Sequence, residues 1–432
     1  MLFTLRRSNL YIAFCCFIYK FVSDIFYLNY ISPRWSYMGL VSDFSLSKTV
    51  VSYILTAIVF CFLKWNNNKI GNVILQYLFI VMLIPLLSFW ALANKQTDFL
   101  LFCVAGFNLT VLLVNRFDNS RVYLNFLYFK RMKSFYLYIT ILLFFVIVYM
   151  INYYGVHIAT ANMFDSEAVY SIRRDQTGVG GFIKYLIAWS YKVICPLLIS
   201  FSLSKNCKTK VVFYCCLQII MYLCTPHKEI ILSMGLVFCT YYCYKKGILQ
   251  YFWYYMLTGF MLLGILLEEL FNTRLIYIEA LIYRLLFLPA AVKFEHYTYF
   301  SQHEKLFFSE GLLGKLFGRE YFYGKLTSGQ VVSNYFYNNN NNANTGYLAY
   351  SYDDIGFAGI IIASVLLGIL IIVLQSALSE KNVLFILPPS VYIFGQLNDG
   401  PLLTTMLTGG ILVLLTTVFI IELKSKKIRS TH

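Results

Sequence analysis

The stretch KFEHYTYF, residues 293–300, sets Glu295, His296 and Tyr297 in succession. A carboxylate beside an imidazole can exchange a proton near neutral pH, because imidazole titrates there and burial raises a carboxylate toward it. Either His296 or Glu295 is therefore a candidate general base; a structural hydrogen bond is the other role open to His296. Upstream, Arg274 and Arg284 are ten residues apart, close to three helical turns, so on a continuous helix they share a face. Glu279 lies between them and can pair with either. Arg173 and Arg174 form a second basic pair. Guanidinium forks match phosphate oxygens and stay charged, so this pair suits a phosphate clamp; the alternative is a solvated pair with Asp175. Lys228, in CTPHKEIIL, either pairs with Glu229 in a tight turn or places a cation at the mouth of a helix bundle. Near the end, ANTGYLAYSYDDIGFAG carries Asn344, Tyr352 and Asp354. Asp354 caps the following helix or holds an arginine.

The pattern leaves other chemistries out. The five histidines show no metal-binding spacing, and no glycine-rich nucleotide loop occurs, so neither a metal nor any other cofactor is expected. The eleven cysteines fall mostly inside apolar runs, where they read as small buried hydrophobes. The run of asparagines at 338–342 reads as a spacer.

The elements that must position these residues are membrane helices. The chain is 59% hydrophobic and only 13% charged, about half the charge of a soluble domain. Apolar runs long enough to span a bilayer recur from end to end. They predict an all-α polytopic membrane protein, residues 1–432 forming one membrane domain. About twelve spans are expected, near 9–30, 40–63, 70–92, 98–115, 134–154, 181–203, 211–225, 229–244, 249–270, 347–378, 383–399 and 402–422. Basic residues crowd alternate short loops, which places both termini in the cytoplasm. Two outer loops follow, at 155–180 and 271–346. The second contains RLIYIEALIYRLLFLPAAVKFEHYTYF, whose apolar spacing predicts amphipathic helices lying on the outer membrane face. The net charge of +15 is dispersed among spans, which argues against nucleic-acid binding. The basic residues of the outer loops point to an anionic partner there.

The layout and two motifs resemble the Wzy-type O-antigen or oligosaccharide repeat-unit polymerases. An R…P…YY–F pattern falls on Arg284, Pro289 and Tyr297–Phe300. An N-x-G…Y-x-D-x-G-x-x-G pattern falls on Asn344, Gly346, Tyr352, Asp354, Gly356 and Gly359. The resemblance implies a GT-C-like membrane fold and a glycosyltransferase that joins undecaprenyl-diphosphate-linked repeat units at the outer, periplasmic face of the bacterial inner membrane. Undecaprenyl diphosphate leaves, without a metal ion. A chain-length regulator and a flippase are the implied protein partners. On that reading Arg173, Arg174, Arg274 and Arg284 bind diphosphate, and Lys228 stands where the family commonly has an arginine. His296 or Glu295 serves as base. Tyr297, Asn344, Tyr352 and Asp354 line the sugar site. An O-antigen ligase has a similar layout; a lipid-linked oligosaccharide flippase or exporter shares the span count but not the long late loop.

Overall fold

The computed structural model describes residues 7–65, 69–118, 132–157, 181–271, 276–311, 314, 316–339 and 341–429. Among the described residues every regular element is helical. In chain order the helices are α1 (Arg7–Phe26), α2 (Leu46–Phe62), α3 (Ile70–Leu92), α4 (Thr97–Arg116), α5 (Met132–Tyr154), α6 (Phe182–Ser204), α7 (Lys208–Cys224), α8 (Lys228–Lys245) and α9 (Leu249–Phe271). There follow α10 (Ile276–Ile282), α11 (Leu288–Gln302), α12 (Ser328–Tyr337), α13 (Tyr347–Ile355), α14 (Phe357–Ala377), α15 (Glu380–Gly395), α16 (Leu402–Leu407) and α17 (Ile411–Arg429).

Eight described segments are long and apolar enough to cross a membrane, and the protein is a membrane-embedded helical protein. Helix α2, at 17 residues, and α15, at 16, are shorter than the expected spans at those places, while α7, also 17 residues, is slightly longer than its expected span. A 17-residue helix is about 26 Å long, just under the ~30 Å hydrocarbon core. The expected span at 347–378 is two helices, α13 and α14, broken at Gly356. Gly356 has φ +71° and ψ −150°, a region essentially reserved for glycine.

Among the described residues one-turn π bulges follow α1 at Tyr27–Ile31, interrupt α3 at Phe79–Leu83 and α6 at Ser190–Ile194, and join α10 to α11 at Tyr283–Phe287. Each is followed by a proline in the first turn after it: Pro33, Pro85, Pro196 and Pro289. Proline has no N–H to donate and its ring crowds the carbonyl four residues back. The helix widens for one turn instead of breaking.

The chain divides into two compact units. The first comprises Met1–Asp118, Gln250–Ile372 and Gly395–Leu402. Its central element is α3, buried along its whole length and packed by α1, α2 and α11. Helices α4 and α14 meet through small residues: the Thr110 hydroxyl donates to the Ser364 carbonyl at 2.9 Å, and a side chain at Gly106 would collide with Ser364. Close backbone approach of this kind is how membrane helices gain contact where lipid and protein are equally apolar. The second unit comprises Asn119–Leu249, Val373–Phe394 and Leu403–His432. There Gln218 of α7 ties α6 to α8, donating to the carbonyls of Tyr191 (3.0 Å) and Ile230 (3.2 Å).

Inside α1, the Lys20 ammonium is wholly buried. It lies 3.3 Å from Asp24 and donates to Ser88 Oγ at 2.9 Å. Neither charge tolerates loss of the other in a dry bundle. Asp24→Ala is expected to cost about 3–5 kcal/mol, read as a lower thermal midpoint in detergent. The paired change Lys20→Met with Asp24→Leu should restore most of that loss, and equal loss in both variants would refute a role for the stranded charge.

Candidate functional site

The site residues of the first unit are organised by α11. Nearly every residue from Pro289 to Phe300 is buried. This corrects the expectation of an amphipathic helix lying on the membrane face: protein encloses α11 on all sides. The physical reason is that its charged residues find partners from distant segments and do not need solvent.

Lys293 is fully buried. Its ammonium donates to the Pro289 carbonyl (3.0 Å), to Asn398 Oδ1 (2.9 Å) and to the Asn398 carbonyl. Burial pulls its pKa down to about 7, against the pull of Asp399. A side chain at Gly346 would run into this cage at Asn398 and Lys293, so that glycine is required for the approach of α13.

His296 is also buried, with both ring nitrogens engaged. Nδ1 lies 2.6 Å from Asp353 Oδ2 and Nε2 lies 2.9 Å from the Ala343 carbonyl. A carbonyl only accepts, so Nε2 carries a hydrogen, and the proton shared with Asp353 sits on the other side. No ring nitrogen is left to receive a proton from a substrate. His296 is therefore the structural hydrogen-bonder of the two roles open to it, and its assignment as general base is corrected. It latches α13 and the 343 turn onto α11. Burial pushes the imidazole down, but Asp353, the Ala343 carbonyl and Glu295 outweigh it and the net direction is up. Asp353 is likewise raised, by burial foremost, with His296 and Lys305 opposing.

Glu295 differs. One carboxylate oxygen, Oε1, accepts the Tyr337 hydroxyl. The other, Oε2, is buried and has no hydrogen-bond partner among the described residues. Burial raises its pKa, with Tyr337, His296 and Lys95 pulling the other way. Lys95 is half-buried and depressed by burial, while Glu295 and then Asp43 support its charge. Gly39, in the left-handed region at φ +76°, lies so close that any side chain there would strike Glu295 and Tyr337. Beside it Trp35 stacks on Tyr283 at 4.4 Å and on exposed Tyr37 at 6.0 Å. A carboxylate with raised pKa and an unsatisfied oxygen, next to a cation and a partly exposed aromatic stack, can take a proton from a hydroxyl and hold a sugar ring.

The remaining candidates are placed as follows. Arg284 sits on the π bulge, exposed, and makes no ion pair among the described residues. Glu279 binds Arg34, which also clasps Glu268 with both terminal nitrogens. Tyr297 and Tyr352 do come together, at 4.9 Å, but both are buried; the Tyr297 hydroxyl donates to Asp98 and its ring stacks on Phe99 at 4.8 Å. They brace the core rather than offer faces to a sugar. Asp354 is buried; its Oδ1 accepts the Phe308 N–H at 3.2 Å, so it anchors the 306–310 turn. Burial and Asp353 push its pKa up to about 8. Asn344 is exposed. Lys228 opens α8 in the second unit, where Glu229 pairs with Lys192 at 3.5 Å. Arg173, Arg174 and Arg274 lie outside the described residues. Lys95, Tyr337, Asp353 and Asn398 were not singled out by sequence. Their signals are long-range pairings, which no local pattern announces.

The His296 pair carries a signed pH dependence. His296 is raised, so the stability its protonated form contributes is complete below the ordinary imidazole value of 6.5 and is lost as pH climbs through the folded value, while the raised Asp353 begins to lose its share lower, above the ordinary carboxyl value of 3.8. The thermal midpoint should fall as pH rises through that window. His296→Asn should flatten the slope; an unchanged slope would show the pair contributes nothing.

Scans of family models, curated proteins and solved structures find no match to this chain.

Proposed function

We propose that this protein polymerises undecaprenyl-diphosphate-linked oligosaccharide repeat units into O-antigen or a related surface polysaccharide. The observation that carries the reading is Glu295: a raised-pKa carboxylate with an unsatisfied oxygen, beside Lys95 and a Trp35–Tyr37–Tyr283 stack. The polymerase-like motifs around Arg284 and Asn344–Gly359 support it. In this reading the chain crosses the bacterial inner membrane about twelve times in a GT-C-like fold, with both termini cytoplasmic and the site facing the periplasm.

The acceptor sugar hydroxyl attacks the anomeric carbon of the carrier-linked chain. A carbon–oxygen bond forms and the bond to the diphosphate breaks, the leaving undecaprenyl diphosphate keeping the bonding pair. The hydroxyl proton passes to Glu295. Lys95, exposed Arg284 and the arginine at 274 stabilise charge on the diphosphate. Asn344 contacts sugar from the exposed turn. Flippase and chain-length regulator act as partners.

The buried Lys20–Asp24 pair favours a second reading, a carrier-lipid oligosaccharide flippase, because intramembrane ion pairs often mark transport paths.

Glu295→Gln is expected to leave single repeat units on the acceptor, with chain growth down on the order of 10²–10⁴-fold and normal protein level. Arg284→Ala should shorten chains as well. As the base, Glu295 must be ionised, so the acid limb of the activity profile should lie above the ordinary glutamate value of 4.5. A normal ladder on a polysaccharide gel from Glu295→Gln cells would remove this residue from the mechanism.

A further inference from the structure

Four large apolar side chains outside the spanning helices stand in the open: Phe307 is 45% exposed, Leu316 69%, Phe317 74% and Phe322 68%. The last three values exceed those of residues on the spanning helices of the same unit such as Leu266 at 55% and Ile362 at 56%. The side chains come from two segments that are tied together. The Arg319 guanidinium donates to the Phe307 carbonyl at 3.2 Å, and the Arg319 N–H donates to the Gly314 carbonyl at 3.0 Å. Gly314 in turn packs against the Ser309 carbonyl so closely that a side chain would not fit.

The backbone at this point is strained. Phe307 and Phe308 have φ of 47° and 60°, the left-handed region that bulky residues avoid. Such strain persists only where the surroundings hold it. Here Phe307 N–H donates to the Asp354 carbonyl at 3.0 Å and Phe308 N–H to Asp354 Oδ1 at 3.2 Å. Two bonds to one buried aspartate thus keep a phenylalanine turned outward, where a water-facing turn would gain nothing from it.

We propose that the turn at 306–310 and residues 316–322, tied together through Arg319, act as an interfacial hairpin that seats Phe307, Leu316, Phe317 and Phe322 at the boundary between lipid headgroups and acyl chains. The chemistry fits a lipid surface. The hairpin lies in the chain between two helices able to span, Leu249–Phe271 and Phe357–Ala377, so a bilayer is within reach of both ends. Exposed Arg319 and Lys325 flank the apolar residues and complement anionic lipid phosphates, outweighing the exposed Glu320. Half-exposed Tyr321 and Tyr323 add rings of the kind that settle at headgroup level. The inference is independent of the glycan reading: it concerns where the 276–346 segment touches lipid, and it assigns that contact to the hairpin and not to α11.

The test uses the full chain in nanodiscs of phosphatidylethanolamine and phosphatidylglycerol. Phe317→Trp and, separately, Phe322→Trp each add one fluorophore, and the emission of the five native tryptophans is subtracted using the parent protein. The added emission is expected to be blue-shifted and to lose most of its intensity when the phospholipids carry bromine on their acyl chains, with little quenching by acrylamide. Water-like emission quenched by acrylamide but not by brominated lipid would overturn the proposal, since the hairpin would then face solvent. Blue-shifted emission untouched by brominated lipid would overturn it too, because a protein surface or second copy would be the occupant.

Discussion

The contact between His296 and Asp353 is the constraint on which the first unit's non-spanning part depends. It joins residues 57 positions apart inside a region with almost no solvent. Whether written as imidazolium with carboxylate or as neutral imidazole with carboxylic acid, the pair is neutral overall, so it can be buried. The Ala343 carbonyl uses the remaining ring nitrogen, and the Asp353 and Asp354 carbonyls take the N–H groups of Leu306 (2.8 Å) and Phe307 (3.0 Å). One buried pair therefore fixes α11, α13, the 343 turn and the 306–310 turn. Removing either partner strands the other, at a cost of about 3–5 kcal/mol.

That arrangement divides the ionisable residues of α11 into two kinds. Lys293 and His296 are saturated: every donor they possess has an acceptor in the protein. Glu295, between them, is half saturated. At 100° per residue Lys293 and His296 lie about 60° apart and share one side of the helix, while Glu295 points away from it, so one face locks the helix and another is left for chemistry. The order reverses the first impression of KFEHYTYF, where the histidine draws the eye. Buried imidazoles are more useful as two-ended struts than as bases when both nitrogens are used.

Much of the architecture was legible in sequence because it follows from composition. Apolar runs gave helices, whereas the π bulges ahead of Pro33, Pro85, Pro196 and Pro289 went unread. The break at Gly356 that splits the 347–378 run was missed, although its φ and ψ admit little but glycine. The site was less legible. The partners of Lys293, Glu295 and His296 are Asn398, Tyr337 and Asp353, and no periodicity links positions so far apart. Helix α11 looked amphipathic because its charges were assumed to need water; distant oxygens satisfy them instead. Arg34 escaped notice for the same reason, its carboxylates lying on α9 and α10. The expected sugar-contacting Tyr297 and Tyr352 are core residues because ring packing against Phe99 and Phe357 uses their faces.

The central claim is that the protein makes glycosidic bonds and does not move its substrate. The direct measurement is reconstitution of the purified protein in liposomes with undecaprenyl-diphosphate-linked repeat units taken from the same cells, following saccharide length and free undecaprenyl diphosphate together. The account predicts a ladder of lengthening chains and one undecaprenyl diphosphate released for each linkage formed. Repeat units that change leaflet without lengthening, and with no carrier released, would contradict it.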